Sequence, residues 1–152
     1  MTAMPTMPAT GAPELDGLYE RDEVAWYGEM IALIDQGRTE ELDFINLKDL
    51  LESMARREHR EVKSRLRLLL AHRLKWEYQP DMRTGSWAVT LMVQRSELRD
   101  DFSDSRVLYN RAVEVLESAY HQAVRLASAE TGLPPETFPE TCPVTLDELL
   151  AE

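Results

Sequence analysis

NLKDLLESMARREHREVKSRLRLLLAHRLKWEYQP, residues 46–80, decides the fold. Asn46 is a good helix N-cap, and Asp49 puts negative charge in the first turn. Ile45 precedes the cap and is placed to staple onto Leu50. Leu47, Leu50, Leu51, Met54, Val62, Leu66, Leu69 and Leu70 then recur at helical spacing as far as Trp76. Pro80 ends the run, because the residue before a proline avoids helical geometry. Some thirty residues of helix make a rod of about 45 Å.

The flanks carry the same period. Leu15, Leu18, Tyr19, Trp26, Met30 and Leu33 predict a helix over about 15–36, stopped by Gly37. A third helix starts near Thr84 or Ser86 and uses Trp87, Leu91, Leu98 and Phe102. A fourth starts between Ser103 and Ser105 and runs to about Thr131, before Gly132. Its face, Ala112, Val113, Leu116, Ala119, Tyr120, Ala123 and Ala127, is alanine-rich and lets a neighbour approach closely. Residues 133–152 read as an irregular strap and a short helix, with a Thr145/Glu148 capping box and Val144 stapled onto Leu149. No stretch alternates like a strand. The expected fold is all-α: an antiparallel bundle of about four main helices plus a short C-terminal helix, one domain over 14–152. Residues 1–13, rich in Pro, Thr, Ala and Met, read as a flexible tail.

Composition narrows the function. Net charge is −11, which repels nucleic acid and anionic lipid. Charge is uneven: residues 1–47 are net −8, residues 48–83 net +4 and residues 84–152 net −7. The long helix is thus a basic rod in an acidic protein. It either pairs with acidic neighbours or offers a face to an acidic partner. A single cysteine, Cys142, precludes an internal disulfide and fits a reducing compartment. The first residues lack a basic start and an apolar core, so they do not read as a secretory signal, and the protein is read as cytoplasmic. The longest apolar run, Leu66–Leu74, is interrupted by Arg67, His72 and Arg73 and is far too short for a bilayer span.

Several segments together look familiar: Leu18-Tyr19-Glu20-Arg21-Asp22 with Trp26, Glu52-Ser53-Met54, Ser64-Arg65-Leu66 and His72-Arg73-Leu74-Lys75-Trp76-Glu77-Tyr78-Gln79-Pro80. Ser86-Trp87, Thr131-Gly132-Leu133, Phe138-Pro139 and Cys142-Pro143 complete the set. Over roughly residues 18–150 the chain resembles the bacterial family catalogued as domain of unknown function twenty-nine. The resemblance implies an α-helical fold and supplies no reaction, substrate or functional residue.

A helical wheel singles out the polar candidates. With Leu47 at 0° and about 100° per residue, Glu58, Arg65 and His72 fall at about 20°, 0° and 340°, inside the apolar stripe. On the first helix Asp22 and Glu29 share the side of Trp26 and Leu33. Buried charges are costly unless paired, so the row Asp22, Glu29, Glu58, Arg65 and His72 needs a reason. It is a register-fixing network, a metal site with Asp22, Glu29, Glu58 and His72 as ligands, or an acid–base pair built on His72. The Glu-x-x-His pairs of di-iron bundles and the His-Glu-x-x-His zinc motif are absent. No glycine-rich phosphate loop or nucleophile elbow exists. His59 and His121 read as surface residues, Cys142 as a packed thiol, and Trp26, Trp76 and Trp87 as core anchors rather than an aromatic ligand box. No cofactor is implied. The expectation is a non-enzymatic helical interaction or regulatory module, with a protein partner or self-association, conceivably a homodimer, and no nucleic acid or membrane. The alternative is a metal-dependent or acid–base enzyme using the interhelical cluster.

Overall fold

The computed structural model describes residues 15–152; the expected tail at 1–13 lies outside them. Among the described residues there are six α-helices and no strand: α1 (Leu18–Arg21), α2 (Glu23–Asp35), α3 (Phe44–Tyr78), α4 (Gly85–Asp104), α5 (Arg106–Thr131) and α6 (Leu146–Ala151). The fold is all-α and bundled, with four long helices and a short C-terminal one. The chain divides into two compact units, one ending at Ser53 and the other running from Met54 to Glu152. Helix α3 runs unbroken through the division, 35 residues long.

In the N-terminal unit the expected first helix is broken at Asp22. Its backbone is extended, and its side chain accepts a hydrogen bond from the Ala25 amide, so it caps α2. Gly37 ends α2 as expected. Its φ of 70° lets the Arg38 amide reach the Leu33 carbonyl at 2.9 Å and the Gly37 amide reach Ile34 at 3.0 Å, the paired bonds of a Schellman stop. Trp26 is the anchor of this unit, buried with Leu18, Met30 and Leu33 and edge-on to Tyr19 at 4.8 Å.

Helix α3 starts earlier than Asn46. Asp43 is the cap: it accepts from the Asn46 amide at 3.2 Å, and its other oxygen takes the Trp26 indole N–H at 3.1 Å. One carboxylate thus caps α3 and satisfies the buried indole. Burial pushes the Asp43 carboxyl up, but the hydrogen bonds from Asn46 and Trp26 outweigh it and hold its pKa below the ordinary value. The staple shifts with the cap. Leu42 and Leu47 occupy its positions and pack on the Trp26 cluster, whereas Ile45 is exposed.

In the C-terminal unit, Val62, Leu66, Leu69, Leu70, Ala71 and Leu74 of α3 join Leu98 of α4 and the alanine face of α5 in one core. On α5 that face uses Ala112, Val115, Ala119, Tyr120, Ala123 and Ala127; Val113, expected inward, faces solvent. Helices α3 and α4 run antiparallel, with Lys75 over the Trp87 ring near one end and Arg65 beside Glu97 and Asp101 at the other. Thr84 caps α4, Ser105 caps α5, and Gly132, in the left-handed region, ends α5. The strap is pinned where the Tyr120 hydroxyl donates to the Pro139 carbonyl at 2.6 Å and Phe138 meets Tyr78. Thr145 and Glu148 form the expected capping box, and α6 inserts Leu146 and Leu149 into the core. No described helix is long and apolar enough to cross a membrane.

Candidate functional site: an arginine cleft under the C-terminal helix

The two halves of α3 bury different faces. With Leu47 at 0°, the positions packed on the Trp26 cluster, Leu47 and Leu50, lie near 0° and 300°. Val62, Leu66, Leu69, Leu70, Leu74 and Ala71 spread from about 40° to about 240°. The stripe centred on Leu47 therefore meets the buried face of the second half only at its edge, at Leu69. Leu51 and Met54, expected in the core, are exposed, and so is Glu58.

The five polar candidates are distributed accordingly. Asp22 is the exposed cap of α2, and Glu29 is half-buried; both belong to the N-terminal unit. Arg65 is half-buried and pairs with Glu61 at 2.6 Å, Glu97 at 3.4 Å and Asp101 at 3.6 Å. Burial, and then the charges of Glu61, Glu58 and Glu97, raise the pKa of Asp101 against the pull of Arg65. His72 points one ring nitrogen at the Leu68 carbonyl, 3.0 Å away, and the other at the Lys75 ammonium, 3.4 Å away. Beside a carbonyl and an ammonium, this geometry suits the neutral tautomer that donates from Nδ1 and accepts at Nε2. Burial lowers the His72 pKa, and Lys75 lowers it further. Among the described residues no three His, Cys, Asp or Glu side chains stand where they could hold a metal ion together.

Lys75 was not anticipated as a polar core residue. It is buried, pairs with Glu130 of α5 at 2.5 Å and lies 4.9 Å from the centre of the Trp87 ring. Trp76 and Trp87, expected as core anchors, are only half-buried; Arg83 covers one and Lys75 the other. The Cys142 thiol donates to the Val144 carbonyl, and burial raises its pKa, so it is held as the thiol. His121 is exposed beside Glu117, and His59 is half-buried.

A second concentration of charge lies in a cleft of about 470 Å³ lined by α3, α4 and the end of α6. Arg73 of α3 grips Glu152 with its Nε at 3.0 and 3.1 Å and its Nη2 at 2.9 Å. Arg95 of α4 reaches the same carboxylate at 3.4 Å and donates from Nε to the Leu149 carbonyl at 2.9 Å. Arg99, one turn further, donates to the Leu150 carbonyl. These carbonyls lie in the last turn of α6, where helix carbonyls lack internal partners. Trp76, Leu91 and Met92 supply an apolar wall. Hydrogen bonding to Glu152 raises the Arg73 pKa. Burial lowers that of Arg95; Glu152 opposes the shift, while Arg99 and Arg73 add to it.

Two guanidiniums, Arg73 and Arg95, thus share one carboxylate, and a third, Arg99, holds the backbone beside it. The arrangement suits planar, two-pronged recognition of an anion. It does not suit proton transfer, because arginine stays protonated. Arg95 and Arg99 were legible as a cationic pair one turn apart on α4. Arg73 sits at about 80° on the α3 wheel, amid the buried leucines of its own half, and a wheel referenced to Val62 would have marked it.

The chain belongs to the family described as domain of unknown function DUF29, whose model matches residues 18–152. No curated protein and no solved structure matches it.

Proposed function

We propose that this DUF29 chain is a non-enzymatic helical interaction module whose arginine cleft holds an acidic group of a protein partner. The observation that carries the reading is the convergence of Arg73 and Arg95 on Glu152, with Arg99 lining the same cleft. A carboxylate already sits in the fork, and it belongs to the residue that caps the chain's own short helix. A partner's carboxylate of the same geometry would compete with it, so α6 acts as a built-in competitor that sets the threshold for binding. The apolar wall favours an acidic residue preceded by leucine or alanine, as Glu152 itself is. The net charge of −11 disfavours nucleic acid as the anion, and the single cysteine suits a cytoplasmic, reducing setting.

The test is fluorescence anisotropy with a labelled peptide ending Leu-Leu-Ala-Glu, titrated with the full chain. Replacing Glu152 with Ala removes the internal competitor and tightens binding about ten-fold, or about 1.4 kcal/mol. Replacing Arg95 with Met, which keeps the packing stem, abolishes it. If Glu152→Ala leaves the affinity unchanged and Arg95→Met binds as well as the parent, the cleft is only the clasp of α6. Retention on heparin that is lost in Arg95→Met would move the reading to a polyanion.

A further inference from the structure

Helix α2 is apolar on two sides. Its inner side, Trp26, Met30 and Leu33, is buried. Val24, Ile31 and Ile34 are 76%, 59% and 53% exposed. On the wheel these three fall within about 80° of one another, beginning about 40° from Met30 at the edge of the buried side. A helix apolar all round is ordinarily buried all round, and exposed apolar residues gathered on one stripe mark a binding surface. Over Val24 to Ile34 the stripe is about 15 Å long, three helical turns.

Gly28 lies on the flank of this stripe, one turn after Val24. Glycine inside a helix is destabilising relative to alanine. Among the described residues nothing requires it here: beyond its own turn of helix a Cβ at Gly28 would meet no atom within 4 Å, and φ is ordinary. Its missing side chain leaves a shallow notch beside the apolar stripe, where another backbone can come close.

Charge says which backbone. Helix α2 carries Glu23, Glu29 and Asp35 and no basic residue. Over residues 15–53 there are eleven Asp and Glu against three Lys and Arg, net −8. Two such units facing each other would repel. We infer that the Val24–Gly28–Ile31–Ile34 face of α2 is a docking surface for a cationic amphipathic helix of another protein, laid into the Gly28 notch with its Lys and Arg over the acidic flanks. This is helix-on-helix recognition, with apolar anchors giving affinity and the acidic rim giving orientation and rate. It rests on residues of the N-terminal unit alone and is independent of the arginine cleft.

The experiment uses the full chain and two labelled 18-residue Leu/Lys peptides of identical composition, one with its leucines on a single helical face and one with them dispersed. The amphipathic peptide binds at least about ten-fold tighter than the dispersed one, the increment expected for burying an apolar side chain or two. Ile31→Ser loses about ten-fold on the same basis. Gly28→Leu is the decisive variant: it raises Tm by about 2–4 °C, because leucine is the better helix former, and it abolishes binding by filling the notch. Equal binding of the two peptides would reduce the face to bulk charge and overturn the inference. So would a Gly28→Leu chain that is stabilised yet binds undiminished. A dimer in sedimentation that Gly28→Leu splits would give the face to a second copy instead.

Discussion

Leu51 and Leu69 stand at the same angle, about 40°, on the α3 wheel, five turns apart. Sequence alone treats them as equivalent core residues. Leu69 is fully buried, and Leu51 is 65% exposed. Truncating Leu69 to Ala removes three carbons from a site lined by α3, α4 and α5 and leaves a hole that the alanine face of α5 can do little to fill. Leu→Ala at such a site costs about 2–5 kcal/mol, and the poor prospects for collapse point to about 3 or more. Truncating Leu51 costs about 0.5 kcal/mol or less, because most of its surface is wet already and alanine is the better helix former. Urea titration followed by circular dichroism at 222 nm reads the difference, with the slope m required to stay unchanged so that midpoint shifts report stability. A Leu51→Ala cost within about 1 kcal/mol of that of Leu69→Ala would refute the claim that α3 turns a different face inward in each half.

Other outcomes follow from the polar contacts. Arg73→Met and Glu152→Gln, alone and together, should give a coupling of about 1 kcal/mol in low salt by urea denaturation; the fork geometry argues for more, but Glu152 is 40% exposed and solvent screening discounts it. High salt should roughly halve that coupling; no coupling in low salt would mean that Glu152 is not held. Burial depresses the His72 pKa in the folded state, so the unfolded chain takes up the proton first as pH falls below the ordinary 6.5. Stability should therefore drop on acidification from that pH down to the folded pKa, and His72→Gln should flatten this part of a Tm-against-pH curve relative to the parent. Asp43→Ala should cost about 2 kcal/mol by urea denaturation, more than an ordinary lost cap, because it also orphans the Trp26 indole N–H; Asp43→Asn should recover much of that.

The parts of the fold legible in sequence are those fixed by local chemistry. Gly37, Thr84, Ser105, Gly132 and the Thr145/Glu148 box each mark an element end through a backbone need that only a few residue types meet. The misplaced start of α3 shows where local reading fails. Asn46 and Asp43 are both good caps three residues apart, and the choice is made by Trp26, far along the chain, whose indole needs the Asp43 carboxylate. A cap with two duties wins over a cap with one.

The candidate sites were hidden for a related reason. A wheel needs an origin, and a 35-residue helix serving two units has two. Taking the origin from Leu47 placed Glu58, Arg65 and His72 in an apolar stripe and left Arg73 among flank residues. The origin that suits the C-terminal half puts Arg73 between Val62 and Leu66, where a charge must find a partner. That partner is Glu152, seventy-nine residues away at the C-cap of α6, and no periodicity links the two. Gly28 is the opposite case. It is in plain view in the sequence, and only the empty space around it shows that nothing among the described residues calls for it. A half-buried arginine is explained by what the fold brings to it, and an idle glycine by what the fold leaves out, so both needed the three-dimensional arrangement before either could point to a partner.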